Sequence, residues 1–288
     1  MGEARQSSRW TDRNPILRAV EGIGQVTCGL FDRGKGLVVF IGGASCLIGE
    51  ALGWIVRSVL NPKVRLGRSH LWAQMVRVGI RSLPIIVLVQ VFIGIILALQ
   101  MAPTLERYGQ IQRVADIVGI AMFRELGPLL SGIVLSGFAG ASIAAELGTM
   151  VEGEEIKALR ATALNPVKFL VVPRFLATVV MLTMLTVIAD LVGVLGGLFT
   201  STVVLGMSAD QYLSYTKAAI THKDFISGLS KAAVFGVMIS MIACYEGLNV
   251  HGGAEGVGRA TTNTVVKSIV ALITADVLFT VVFYSFGI

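Results

Sequence analysis

Charged residues are scarce in this sequence. Asp, Glu, Lys and Arg make up only 15% of its 288 residues, whereas hydrophobic residues make up 54%. A soluble domain carries about a quarter charged residues, so the composition excludes an ordinary soluble protein. The long uncharged stretches indicate an integral membrane protein instead. The formal net charge of +6 could suggest a nucleic-acid partner, but the distribution of the basic residues around the apolar stretches argues against one.

Cysteine and histidine are also rare, with three of each. The cysteines are far apart and show no metal-ligand spacing, so we expect no metal site and interpret them as small residues in apolar surroundings. The chain contains no G-x-x-x-x-G-K-S/T phosphate loop, and its glycine-rich stretch at residues 251–263 does not match one. We therefore predict that this chain is not an enzyme and does not itself hydrolyse ATP.

Five apolar stretches are long enough to cross a bilayer, which takes about 20 residues of helix. The predicted fold is an all-α integral membrane protein, with a five-helix transmembrane domain at residues 82–288 following an N-terminal region at residues 1–81. The predicted spans are residues 82–103, 116–149, 167–205, 225–247 and 265–287.

The apolar residues 37–60 allow two interpretations. They are long enough for a sixth span, but basic residues flank them on both sides. A span would place one of those basic clusters outside the membrane, against the positive-inside rule. We favour an amphipathic helix lying in the membrane interface, within a cytoplasmic N-terminal region.

The distribution of basic residues predicts the orientation. Residues 1–81 hold twelve of the 24 Lys and Arg residues, and the loop at residues 150–174 holds four more. Both regions are therefore predicted to be cytoplasmic, with the loop at residues 206–224 and the C-terminus outside. In the outer loop, Ser208 and Gln211 match a capping box and predict a short helix over residues 209–218.

Arg124 and Glu125 come just before the uncharged part of the second span. About 30 Å of helix counted back from Gly148 reaches near residue 129, which places the pair near the outer edge of the bilayer. Adjacent helical residues point about 100° apart, so each needs a partner of its own. They are either interface anchors or the polar rim of a cavity for an amphipathic ligand, because ionisable residues in membranes are commonly functional.

Small residues recur at every fourth position of the same span. In lipid, helices associate by close packing, so such a face predicts a helix interface. It packs either within the monomer or at a homodimer seam, and the sequence does not separate the two. The residues are Gly132, Ser136, Gly140, Ala144 and Gly148.

A short amphipathic helix is predicted at residues 152–162. Three acids, Glu152, Glu154 and Glu155, stand at its N-terminal end, where the helix dipole favours anions. Ile156 and Leu159 share one face of it. The segment is either an ordinary loop helix or a cytoplasmic contact for a motor subunit.

Single acids lie in or beside the other spans, at Asp190, Asp276 and Glu246. They are either paired inside the helix bundle or part of an ion or proton path. The second possibility defines our alternative function, an ion- or proton-coupled secondary carrier. The three histidines lie in loops, so a proton relay within the spans lacks partners.

Several motifs in fixed order resemble the MlaE/YrbE permease family. They are FRELGP at residues 123–128, AELGTM at 145–150, EIKAL at 155–159, NP at 165–166, VPR at 172–174 and GAEGVGR at 253–259. The likeness extends from about residue 20 to the C-terminus. One departure is that the family usually has an arginine where this chain has Phe138.

This resemblance implies the membrane subunit of an MCE-type lipid ABC transporter in the bacterial inner membrane, with the C-terminus in the periplasm. It implies a homodimer bound to two cytoplasmic ATPase subunits, which would hold ATP and Mg, and to a periplasmic ring of MCE proteins. The cargo would be phospholipid or a related lipid, and this chain would need no cofactor. The acidic short helix would be the ATPase-coupling helix. A lipid pocket would lie near Arg124 and Glu125, with a wall of Leu126, Leu129 and Leu130.

Overall fold

A computed structural model describes residues 15–60 and 68–286. These residues form helices and short connections without a strand, so the predicted all-α fold is confirmed. The helices are α1 (Pro15–Leu60), α2 (Arg68–Met75), α3 (Leu83–Arg107), α4 (Arg113–Ala121), α5 (Gly127–Leu135), α6 (Ala141–Glu152), α7 (Glu155–Ala161), α8 (Val172–Val203), α9 (Ala209–Ala219), α10 (His222–Leu248) and α11 (Gly253–Phe286).

The chain divides into two compact units, residues 1–47 and residues 48–288. In the first, the described residues form the N-terminal part of α1. The second holds the rest of α1 and all the other helices. The predicted boundary at residue 81 does not coincide with this division.

Within residues 15–60 and 68–286, six helical segments are long and apolar enough to cross a membrane. Five contain the predicted spans apart from the last residues of two of them. The sixth, Val38–Ser58, falls in the region predicted to lie in the interface. Length and composition fit both interpretations of that segment, and the interfacial placement stays a prediction.

Short π-helical turns interrupt or extend several helices. Met122–Leu126 joins α4 to α5, and Ser136–Gly140 joins α5 to α6, so that Arg113–Glu152 is one continuous helical segment. Two more, Val76–Ile80 and Val167–Val171, follow α2 and precede α8. Such turns are rare and frequently mark functional sites. The turn Met122–Leu126 contains Arg124 and Glu125.

Helix α8 packs against both α3 and α10. Its contact with α3 is close because the facing positions are glycines. A Cβ on Gly94 would overlap the carbonyl oxygen of Gly193, and one on Gly196 would overlap the carbonyl oxygen of Val91. Small faces of this kind let helix backbones approach in lipid, where packing rather than the hydrophobic effect holds helices together.

The glycine-rich stretch at residues 251–263 is helical over most of its length, so the connection between the predicted spans 225–247 and 265–287 is much shorter than predicted. Helix α10 continues to Leu248 and α11 begins at Gly253. Only Gly252 and Gly253 have positive φ, at 98° and 68°, which is the backbone geometry that glycine adopts without strain. Gly256 lies against the carbonyl oxygen of His251, whereas a Cβ on Gly258 would have nothing within 4 Å.

The short helix predicted over residues 209–218 is confirmed as α9, Ala209–Ala219, and its position outside the membrane stays a prediction. The Ser208 side chain accepts a hydrogen bond from the backbone N–H of Gln211 at 3.3 Å, as the capping box predicts. Tyr212 from this helix is fully buried and donates from its hydroxyl to the carbonyl oxygen of Val194 at 3.3 Å. Burial raises the pKa of the Tyr212 phenol to about 12.

Candidate functional site

A network of charges connects three helical segments within the bundle. Lys231 of α10 is fully buried, and its Nζ lies 2.5 Å from Glu125 Oε2 and 3.0 Å from Asp276 Oδ1. Thr280, one turn beyond Asp276 on α11, donates its hydroxyl to Glu125 Oε1 at 3.1 Å. Lys231 therefore pairs with two carboxylates, so the formal charge of Lys231, Glu125 and Asp276 together is negative.

Arg124 turns to a different partner. Its Nη1 lies 3.6 Å from Asp224 Oδ1 in the first turn of α10. Asp224 also accepts the backbone N–H of Thr221 at 3.0 Å and so forms a capping box at the start of that helix. The prediction that the adjacent Arg124 and Glu125 each have a separate partner is confirmed.

Close packing brings α10 to the π-helical turn that carries these residues. A Cβ on Gly228 would overlap the carbonyl oxygen of Phe123, so only glycine permits this approach. The rings of Phe123 and Phe225 also lie 6.0 Å apart, centroid to centroid. Lys231 follows Gly228 by three residues, which places it nearly one helical turn on, against Glu125.

The predicted lipid-pocket residues lie beside this network. The side chains of Arg124 and Glu125 are about one-third exposed, at 33% and 32%. Leu126, Leu129 and Leu130 are half-buried. The arrangement is a partly open polar group next to an apolar helix face, and the assignment of a lipid to it stays a prediction.

A second ionic cluster lies near the C-terminal end of the helical segment Arg113–Glu152, which also contains Glu125. Glu146 of α6 lies 2.7 Å from Arg77 and 3.0 Å from the fully buried Arg174. Nearby on α10, Glu246 lies 2.6 Å from Lys267. Of the single acids in or beside the spans, Glu246 and Asp276 are therefore each paired with a lysine inside the bundle.

Asp190 of α8 differs from the other acids. It is fully buried, and neither carboxyl oxygen has a hydrogen-bond partner among the described residues. Gly127 packs directly on it, and a Cβ there would overlap Asp190 Oδ1. Gln90, which donates to the Gly127 carbonyl oxygen at 3.4 Å, is buried as well. No group of three or more potential metal ligands occurs in the part of the chain that the structure describes.

The ladder of small residues faces α10 and α11 of the same chain. Gly132 lies against Phe235 and Leu272, and Gly140 against Ile239 and Thr264. Farther along, Gly148 lies against Val250 and Val257, and Ser136 and Ala144 are fully buried. This packing accounts for the small residues without a second copy of the chain, and the homodimer seam stays a prediction.

Helix α7 covers Glu155–Ala161, and Glu152 ends the preceding α6. All three predicted acids are exposed, whereas Ile156 is buried and Leu159 is half-buried. The helix is therefore amphipathic as predicted. The Lys157 ammonium donates to Glu154 Oε1 at 2.7 Å, and this hydrogen bond lowers the pKa of Glu154.

Two contacts connect α1 to the chain that follows α7. The amide of Asn165 donates to Glu50 Oε1 at 3.1 Å. The Lys168 ammonium lies 5.5 Å from the centre of the Trp54 ring, within cation–π range.

Lys231 and Asp224 are the residues of this network that the sequence did not single out. Lys231 lies near the start of the predicted span 225–247. Its partner Glu125 is 106 residues away, and a single sequence does not show which charges meet at that distance. The sequence did contain a signal for the pairing: a lysine inside one span and acids inside other spans. A charge inside a membrane needs a partner, so such residues are expected to pair.

The fold and the charge network define a multi-pass helical membrane protein with ionisable groups paired inside its bundle. The family profile described as Permease MlaE matches residues 71–282, and the chain belongs to that family.

The chain is 38% identical over 230 residues to a "Probable ABC transporter permease protein" of Rickettsia prowazekii (strain Madrid E), covering 80% of this chain and 88% of the relative. It is 35% identical over 208 residues to another protein of that description from Synechocystis sp. (strain ATCC 27184 / PCC 6803 / Kazusa), covering 72% and 79%. It is also 33% identical over 233 residues to "Protein TRIGALACTOSYLDIACYLGLYCEROL 1, chloroplastic" of Arabidopsis thaliana, covering 81% and 66%.

Proposed function

We propose that this protein is the permease subunit of an ABC transporter that moves phospholipid or a related lipid. Family membership supports the permease role. The relative named for trigalactosyldiacylglycerol, a glycolipid, favours a lipid cargo. The proposed assembly is a homodimer in the bacterial inner membrane with a cytoplasmic N-terminus and a periplasmic C-terminus. It binds two cytoplasmic ATPase subunits, which hold ATP and Mg, and a periplasmic ring of MCE proteins.

One observation carries the lipid assignment. A partly exposed polar group, Arg124 and Glu125, stands beside the half-buried leucines at positions 126, 129 and 130. An amphipathic ligand needs these two surfaces side by side, one for its headgroup and one for its acyl chains. Arg124 lies beside Asp224 with one-third of its side chain exposed, and this exposed part offers a cation to an anionic headgroup.

Arg124→Glu tests the pocket. It places a carboxylate opposite Asp224, so an anionic headgroup would be repelled, and we expect lipid transfer in the reconstituted transporter to be abolished. Arg107→Glu is the matched control, because Arg107 is an exposed arginine at the end of the preceding span. Normal transfer by Arg124→Glu, with the control also normal, would refute the assignment.

The proposed contact with the ATPase is α7. Its acids are exposed, and its anchor Ile156 is buried against the permease, so the helix is held firmly while its charged surface stays open. We expect Glu155→Lys to prevent co-purification of the ATPase while the permease remains folded. Unchanged co-purification of the ATPase would contradict this role.

The alternative function is an ion- or proton-coupled carrier, and Asp190 is the residue that favours it. Reconstituted vesicles separate the two functions. Transfer that requires ATP and the ATPase supports the ABC transporter. Transfer driven by an ion gradient without ATP supports the carrier.

A further inference from the structure

A pocket of about 440 Å³ lies at the end of the bundle opposite Arg124 and Glu125. It is formed between the π-helical turn after α2 and the segment from Phe138 to α6. About 20 helical residues separate Glu125 from Glu146, a distance of about 30 Å along the axis. The pocket is therefore a second site, and its volume falls within the range of about 300–1,000 Å³ that is typical of small-molecule sites.

The pocket is amphipathic. Arg77 and Arg81 line one side, and Phe138, Ala139 and Ile143 line another. Phe138 is 41% exposed, although it is a large apolar residue. Ser142, Ala145 and Thr149 contribute small side chains to the wall.

The charges of this region do not balance. Glu146 is the single acid among the lining residues, and it is shared between Arg77 and the buried Arg174. Arg81 is exposed and makes no ion pair with any residue in the described ranges. Three guanidinium groups thus accompany one carboxylate, and the excess of two positive charges favours an anion.

The surroundings identify the kind of anion. Val76 and Ile80, on the same turn as Arg77 and Arg81, are 45% and 61% exposed. Exposed apolar residues next to these arginines indicate that the turn lies at the edge of the membrane, where headgroup phosphates are found. Guanidinium groups bind phosphate through charge-assisted, often bidentate, hydrogen bonds.

We propose that this pocket binds a phosphate group through Arg77 and Arg81, with the rest of the ligand lying against Phe138. It goes beyond the proposed function, because the site is separate from the pocket at Arg124. Arg77 lies in the π-helical turn that follows α2, and Arg81 comes directly after that turn, so both arginines that face Phe138 across the pocket come from one short segment.

Native mass spectrometry of the full-length protein tests the proposal. The probes are phosphatidic acid, diacylglycerol with the same acyl chains, and inorganic phosphate as a competitor. All variants carry Arg124→Gln, which removes the outer cation, so that retained ligand reports on the second site. We expect phosphatidic acid to be retained and diacylglycerol to be lost.

Arg81→Gln is the decisive variant, because Arg81 makes no described ion pair whose loss would disturb the fold. We expect binding of phosphatidic acid to weaken roughly tenfold, the effect of one charge-assisted hydrogen bond. Arg107→Gln, which removes the same charge elsewhere, should have no effect. Ser142→Leu keeps the arginines but fills the pocket, and it should weaken binding as well.

The outcomes distinguish the source of the phosphate. Retention of phosphatidic acid that inorganic phosphate does not displace identifies a lipid headgroup. Displacement by inorganic phosphate at similar concentration identifies a soluble phosphate compound, and the site remains a phosphate site. Equal binding by Arg81→Gln and Arg107→Gln, or full binding by Ser142→Leu, overturns the proposal. None of these results depends on transport, so they stand whether or not the complex transfers lipid.

Discussion

Replacing Lys231 with methionine should destabilise the protein strongly. Methionine has a similar length but no charge, so Glu125 and Asp276 would be left close together without their shared cation. Removing one partner of a buried ion pair costs about 3–5 kcal/mol, because the remaining charge is uncompensated. The side chains of Glu125 and Asp276 are 32% and 15% exposed, and this partial hydration places the expected loss near the lower figure.

Unfolding by a denaturing detergent in mixed micelles, followed by circular dichroism, measures this loss. A decrease of about 3 kcal/mol corresponds to a more than hundredfold change in the ratio of folded to unfolded protein. Lys267→Met is the matched control. Lys267 also pairs with an acid, Glu246, but its side chain is 41% exposed, so we expect a loss of about 1 kcal/mol or less.

A triple variant separates loss of charge balance from loss of packing. Adding Glu125→Gln and Asp276→Asn to Lys231→Met removes the stranded carboxylates and keeps their shapes. Most of the stability should return, because replacing a whole buried ionic group is often nearly neutral. A Lys231→Met variant as stable as the wild type, or a triple variant as unstable as the single one, would refute the reasoning.

The remaining predictions concern two buried polar groups. Asp190→Asn should leave stability unchanged or raise it, because it removes a buried ionisable group that has no described hydrogen-bond partner; a loss above about 1 kcal/mol in the same unfolding assay would point to a missing partner. Tyr212 should stay neutral until about pH 12, because burial raises its pKa, whereas the unfolded phenol ionises near its ordinary value of 10.0. Its contribution to stability is therefore full below pH 10 and is lost as the pH rises towards 12. The difference in tyrosinate absorbance between wild type and Tyr212→Phe measures this titration, and ionisation of Tyr212 near pH 10 would contradict it.

Hydropathy and local patterns predict much of this fold because they act within one helix. The spans, the capped outer helix and the amphipathic α7 all follow from residues close in sequence. The partners of Arg124 and Glu125 do not, since they depend on which distant helices pack together. That packing is decided by contacts such as that of Gly228 with the Phe123 carbonyl oxygen, which leave no periodic signal.

At the glycine-rich start of α11, the local sequence pattern predicts the wrong structure. Glycine lowers helix propensity by about 1 kcal/mol relative to alanine, so a run of glycines favours a loop in isolation. Here Val257, next to Gly256, contacts Gly148 of α6, and tertiary contact overrides local preference. The π-helical turns were also missed, because nothing in the sequence of residues 122–126 or 136–140 distinguishes them from an ordinary helix.

The turn Ser136–Gly140 keeps the small-residue ladder in phase. A repeat of four advances by about 400° on an α-helix, so each rung would drift about 40° around the axis from the one before. From Gly132 to Gly148 the drift would reach about 160°, which would carry the last rung almost to the opposite side. A π-helical turn has i→i+5 hydrogen bonds, so each of its residues rotates less around the axis than in an α-helix, and this reduces the drift. Gly132 and Gly148 can therefore both face α10 and α11. The wider turn offsets part of the angular drift that a strict four-residue repeat produces on an α-helix.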